Sequence, residues 1–371
     1  MIMRTATVSC AGLLALLALA GCSGAPAPTG APTPSSTPRP TATSTRTPTP
    51  SPTYAPTPTA TRTPRPTEAV SPTVTADFEG TPLSLLLRMN LKPGEAYRVR
   101  FTTEQQIQQS MQEQSLDTEQ RIGYEYNYSI READAAGNTW VDVLYTWVHF
   151  EQETVLGSVL YDSENPPAQI PPGAEGFAAL LGNGFSMLIT PQGKVLEIEG
   201  VEVMYDQMLE AMDFPDPATE EQFRQAIQQQ FGEEALKQQM NGASFEFPQE
   251  TIQVGDSWTV STVTTAVMPM AMESTYTLRR VEGDLATVEM RSLITPNVDA
   301  GPVDFGLFQI AYSLSGEQEG VITVDLASGL SNSQIRQNLS GEMEMSAEGQ
   351  TINVPLTIEG LVKVESTRVE P

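Results

Sequence analysis

From Ala96 onward the chain keeps a two-residue period of apolar and polar side chains, and that period commits it to β structure. Tyr97, Val99 and Phe101 alternate with Arg98, Arg100 and Thr102. Tyr124–Ile130 and Trp140–Val148 repeat the pattern with aromatic and β-branched residues, the signature of half-buried strands. Phe185–Thr190 and Val195–Ile198 flank a polar turn closed by Gly193 and read as a hairpin. The C-terminal third predicts further strands at Thr275–Val281, Ala286–Ile294, Leu307–Leu314, Gly320–Leu326, Glu342–Met345 and Leu356–Val364.

One stretch departs from this period. Val203–Met212 and Glu220–Met240 are composed of helix formers. Phe223, Ile227, Phe231 and Leu236 form an apolar stripe, and Thr219 is placed to cap the second helix. The segments on either side echo one another. Pro93-Gly94-Glu95-Ala96-Tyr97-Arg98-Val99 parallels Val254-Gly255-Asp256-Ser257-Trp258-Thr259-Val260, and Tyr128–Arg131 parallels Tyr276–Arg279. Met187–Gly193 parallels Val321–Gly329, in the same order along the chain. The expected fold is therefore mainly β: a long-stranded antiparallel curved sheet or half-barrel from two related halves (about 83–200 and 245–366) with a central helical insertion (about 202–242). A plain two-domain β arrangement is the rival.

The N-terminus carries a different message. Arg4 precedes an Ala/Leu-rich run and Leu19-Ala20-Gly21-Cys22, too short to span a bilayer and shaped like an export signal. The pattern resembles the signals of bacterial lipoproteins, which implies cleavage after Gly21 and acylation of Cys22, hence residues 1–21 as a signal peptide and a membrane partner reached through lipid. Residues 22–76 then read as the anchor and a Pro/Thr-rich stalk: 14 of the 29 prolines and 16 threonines lie between Gly24 and Ala76, a composition that cannot bury a core. With Cys10 in the signal and Cys22 acylated, no thiol is left for a disulfide, so residues 77–371 must be held by packing. Those residues carry 15 Lys and Arg against 45 Asp and Glu. Such an acidic surface repels phosphate backbones and argues against nucleic-acid partners.

No catalytic constellation stands out. His149, the one histidine, sits in an alternating strand without a Gly-x-Ser-x-Gly elbow, and reads as a structural strand residue. The abundant carboxylates include pairs such as Glu197 and Glu199, spaced as a solvated strand face. No pattern calls for a metal or other cofactor. The most suggestive chemistry is Met268-Pro269-Met270-Ala271-Met272, three methionines on one side of an extended segment, with Met204, Met208, Met212 and Met240 on the helices. Methionine lines adaptable apolar cavities, and it also fills gaps in ordinary cores.

The Leu91–Tyr97 opening, the Met187–Gly200 strand–turn–strand and Gly255-Asp256-Ser257-Trp258 together resemble an uncharacterised family of exported bacterial lipoproteins. A looser likeness of layout is to lipoprotein-carrier and lipid-carrier half-barrels. The family resemblance implies a membrane-anchored extracytoplasmic lipoprotein, facing the cell surface or periplasm, and transfers no activity. The sheet-plus-helix order, the methionine clusters and the missing catalytic constellation point to binding of a lipid or apolar small molecule in a sheet/helix cavity lined by Met268, Met270 and Met272. A structural or interaction module of the envelope is the alternative, and a carboxylate-dependent hydrolase a third. Replacing Cys22 with Ala should release the protein from the membrane fraction or trap its precursor; normal processing with unchanged membrane retention would contradict the anchor.

Overall fold

The computed structural model describes residues 84–369 except 112–113, 156, 211–215, 219, 222–223, 226–227, 229–231, 244, 265–267, 305–308 and 348. The signal, Gly21, Cys22 and the stalk lie outside the described residues.

The described chain forms one 13-stranded antiparallel sheet. The first half supplies β1 (Ala96–Met111), β2 (Gln114–Ala133), β3 (Thr139–Thr154), β4 (Gly157–Asp162), β5 (Gly184–Ile189) and β6 (Val195–Glu199). The second supplies β7 (Ser257–Val263), β8 (Met270–Glu282), β9 (Leu285–Pro296), β10 (Val303–Asp304), β11 (Gln309–Asp325), β12 (Ser331–Ala347) and β13 (Gln350–Val369). Helix α1 (Glu175–Ala178) precedes β5, while α2 (Val201–Glu210) and α3 (Glu233–Ala243) form the insertion between the halves. Strand order is β6-β5-β3-β2-β1-β13-β12-β11-β9-β8-β7, with β4 on β3 and β10 on β11. Each half is thus a meander, and β1 and β13 join them.

Hydrogen bonding confirms that the halves are built alike. Glu95 N–H donates to Lys92 O across a turn with Gly94 at φ +84°, and Asp256 N–H donates to Gln253 O across a turn with Gly255 at φ +100°. Positive φ at the third turn position is what a type II turn demands of glycine. In both turns the acid folds back: Lys92 N–H donates to Glu95 Oε2 and Gln253 N–H to Asp256 Oδ2. Gly94 N–H reaches Ile130 O as Gly255 N–H reaches Leu278 O, and the ladder shifts register just beyond Ile130 and Leu278 alike. A short strand follows the third strand of each half, although β4 pairs back onto β3 whereas β10 pairs forward onto β11.

The sheet curls without closing. Its corner lies between β11 and β12, where inward positions are glycine. A Cβ on Gly316 would stand 1.9 Å from Asn338 O and one on Gly320 2.4 Å from Gln334 O, distances at which no side chain fits. Glycine at such points lets neighbouring backbones fold toward each other and bends a sheet. The two edges, β6 and β7, do not pair; α3 packs against both. The Asn241 amide plays the part of a neighbouring strand, accepting from Val195 N–H (2.8 Å) and donating to Val195 O (3.0 Å). Covering an edge in this way satisfies its backbone and blocks edge-to-edge association.

Several sequence expectations need correction. The two strands expected at Leu307–Leu314 and Gly320–Leu326 are joined in one, Gln309–Asp325, because Gly316 and Gly320 bend the ladder instead of breaking it; Leu307 and Phe308 lie outside the described residues. The predicted Glu220–Met240 helix is interrupted: 217–218, 220–221, 224–225 and 228 are helical, then Gly232 is a bend and α3 begins at Glu233. The stripe residues Phe223, Ile227 and Phe231 and the cap Thr219 lie outside the described residues, whereas Leu236 packs on the core. Helix α1, which inserts the fully buried Phe177, has no periodic signal at four residues.

Gly316→Ala should lower stability by about 1–3 kcal/mol, since its Cβ meets backbone that cannot give way. Gly301→Ala, with open space around it, should change stability by less than ~0.5 kcal/mol. Denaturant midpoints of the two variants test this; equal effects would contradict the corner.

Candidate functional site

The inward faces of β1, β9, β11, β12 and β13 carry one charged residue, Arg368 at the end of β13 opposite Tyr97, in a chain of net charge −26. On β1 the inward set is Tyr97, Val99, Phe101, Thr103, Gln105, Ile107 and Gln109; on β12 it runs Ser331, Ser333, Ile335, Gln337, Leu339, Gly341, Met343 and Met345. Away from Arg368, which is paired with Glu95, the inward positions of these strands are apolar or uncharged.

Two cores occupy it. One gathers β1–β6, the helices and the far ends of β11–β13, with Phe150, Phe177, Met187 and Leu209 at its centre. The other gathers Tyr276, Leu278, Val288, Met290 and Ile322 with Phe247 and Leu87. Between them runs a half-buried inward strip: Phe101 on β1 and Val362 on β13 belong to neither core, while Val364 on β13 packs on the first and Ile335 on β12 on the second. Register places them side by side, Phe101 opposite Val364, and Val362 between Thr103 and Ile335. Tyr124 lies across from Phe101, their rings stacked 6.3 Å apart. Burial raises the pKa values of Tyr124, Tyr126, Tyr128 and Tyr145, which keeps these phenols uncharged at neutral pH.

A polar row ends the strip. Gln152, Gln120, Gln105, Gly360, Gln337, Gln318, Ser292 and Ser274 are directly opposite one another on eight consecutive strands, β3 to β8. The serines bond each other (2.7 Å), and Gln318 Nε2 donates to Gln337 Oε1 (3.2 Å). Five buried side-chain atoms among the described residues have no hydrogen-bond partner within the protein: Gln105 Oε1, Gln120 Oε1 and Gln337 Nε2 in the row, Thr103 Oγ1 one inward step from Gln105, and Asn127 Oδ1 elsewhere on β2. Each such group costs about 1–3 kcal/mol. Gly360 makes room for the glutamines, since a Cβ there would stand 2.9 Å from Gln337 Nε2 and 3.3 Å from Gln105 Cγ.

The residues singled out from sequence are distributed differently. Met268 is buried at 3% exposure in the turn before β8, and its carbonyl accepts from Thr264 Oγ1 (2.8 Å). Met270 and Met272 project inward from β8, half-buried against the first core, as does Met240 of α3. Met272 stands one inward step above Ser274 of the polar row. The methionines therefore flank the row instead of lining a separate sheet–helix chamber. His149 lies on the outer face, stacked on Trp147 at 5.8 Å. Trp147 lies over Gly123, carries Arg100 at 4.3 Å and donates to Asp162 Oδ1 (3.0 Å), a fastening for β4. Among the described residues no three His, Cys, Asp or Glu come together as a metal site, and no helix is long and apolar enough to cross a membrane.

Two small clefts open near the turns that start β1 and β12, of about 160 Å³ beside Leu85, Leu87 and Val324 and about 130 Å³ beside Lys92, Tyr97 and Arg368. In the second, the Tyr97 hydroxyl donates to Glu95 Oε2 (2.7 Å) and Arg368 to Glu95 Oε1 (2.8 Å). Burial, then that bond, pushes Tyr97 up to about 12. Its polar groups serve one another.

A family model described as a family of unknown function, DUF6263, matches residues 136–331. The chain belongs to the DUF6263 family. The DUF6263 match runs from the β2–β3 turn to the start of β12 and takes in both halves and the insertion. The five unpaired atoms lie outside it, on β1, β2 and the later part of β12. No curated protein matches the sequence. Among solved structures, the COG4313 outer membrane channel from Pseudomonas putida F1 is similar at 8% identity and a TM-score of 0.22, over 75% of this chain and 97% of that one. OccK7 (OpdD) from Pseudomonas aeruginosa follows at 6% identity and 0.18, over 75% and 100%.

Proposed function

We propose that this DUF6263 member is a non-enzymatic, membrane-anchored extracytoplasmic lipoprotein that binds an amphiphilic ligand on the concave face of its sheet. The observation that carries the reading is the half-buried apolar strip turned inward between two cores, of which Phe101 and Val362 pack in neither. Concave, mostly apolar surfaces with a few convergent polar groups are the usual binding sites of proteins. Met270 and Met272 supply a deformable flank to the same face, with Met268 as the buried anchor of their turn. The acidic exterior keeps the binding domain soluble, and Cys22 with the stalk holds it at a membrane.

Native mass spectrometry of the protein purified from its own host tests the reading. The expected spectrum contains a reproducible added mass in the lipid range, which Val362→Lys abolishes while the protein stays folded. A ligand-free protein in every preparation, or an adduct indifferent to Val362→Lys, would favour the interaction-module alternative.

A further inference from the structure

The two helices of the insertion are fixed very unequally. Val201, Met204, Tyr205 and Leu209 of α2 are each buried to 4% exposure or less. No described residue of α3 is fully buried, and its apolar contacts with the first core are the half-buried Leu236 and Met240. Its hydrogen bonds to the described strands run through one side chain, Asn241, and reach only Val195 of β6. On β7 it covers without bonding. Leu278 N–H donates to Asp256 O and Thr264 N–H to Met270 O, a phase in which Trp258, Val260 and Thr262 pair with β8. The N–H and C=O groups of Ser257, Thr259, Ser261 and Val263 therefore face the gap between the edges, and none has a partner among the described residues.

We propose that α3 is a gate, which closes the gap between β6 and β7 and swings off both edges while α2 and the sheet stay folded. On the reading that the concave face binds an amphiphile, that motion is the ligand's way in. Segments with few buried apolar contacts open at free energies far below that of global unfolding, and α3 is such a segment. The chain is built to let it move and return. Gly232 is a bend before it, and after it Phe247, at 3% exposure, donates its N–H to Gln192 O and ties the chain back to the sheet. No ladder has to break, because β6 stays paired with β5 and β7 with β8. The opening lies beside Met270 and Met272, the half-buried inward methionines of β8.

Hydrogen exchange read by mass spectrometry tests the gate without any ligand. The protein is the chain from residue 22 onward with Cys22→Ala, so that no acyl group competes. An 11-residue helix is marginal on its own in water, so α3 loses its amide protection when it leaves the edges. In the native protein α3 should exchange at least about tenfold faster than α2. Asn241→Leu, which removes both bonds to Val195, should speed exchange of α3 and of Val195 by about a further tenfold and leave α2 and β1–β3 unchanged. Exchange of α3 in step with α2, or a variant that accelerates every element alike, would overturn the gate. The route is tested with 1-lauroylglycerol below its aggregation concentration, followed by tryptophan fluorescence. Its association rate should rise about tenfold in Asn241→Leu, in proportion to the open population. An unchanged rate would overturn α3 as the entry. No binding at all would overturn the amphiphile reading, while the exchange result still decides the gate.

Discussion

The concave face exists because β11 and β12 can approach each other closely, and they can do so because their inward positions include Gly316, Gly320 and Gly341. A side chain at any of these would collide with the backbone of the facing strand, and the sheet would flatten. A flat sheet of this length would present two solvated faces and could bury neither. Curvature turns one face inward, lets β5 and β12 contribute to one core, and leaves the two edges close enough for α3 to touch both. The insertion between the halves thereby becomes a structural necessity: it covers edges that the sheet itself does not join.

That geometry also explains why the interior holds polar groups. The first cluster crosses the seam where β1 meets β13, through Ile107, Leu356 and Ile358, and the seam leaves it only toward Phe101 and Val362. A seam filled with leucine would fuse the clusters into one core. Here it carries Gln105, Gly360 and Gln337 instead, in rows whose neighbours above and below are Ile107, Ile358 and Leu339, and Val362 and Ile335. Buried amides without partners weaken a fold, and proteins carry such weakness mainly where it does something.

Much of this was legible in the sequence, and the remainder was hidden for definite reasons. Alternation identified most strands, and the Lys92–Tyr97 and Gln253–Trp258 turns revealed the duplication because type II geometry demands glycine at one place. Strand length was underestimated since Gly316 and Gly320 look like breakers in one dimension and act as bends in a sheet. The methionines at 268, 270 and 272 drew attention because methionine is chemically distinctive, yet Met268 proves to be a core anchor. Glutamine drew none. Gln105, Gln120 and Gln337 are ordinary strand residues until register aligns them, although their phase offered a signal: each falls on the apolar side of its alternating run.

The central claim, that the seam is an accessible surface inside the sheet, can be measured directly with a thiol. With Cys22→Ala no cysteine remains beyond the signal, so Val362→Cys introduces a single probe on the strip and Ile358→Cys, at 0% exposure on the same strand, a control. Val362→Cys should react with a small methanethiosulfonate reagent in the folded protein, and added 1-lauroylglycerol should slow the reaction, while Ile358→Cys stays unreactive until denaturant is added. A Val362→Cys thiol as silent as Ile358→Cys in the native state would mean that the two cores meet, and would contradict the account.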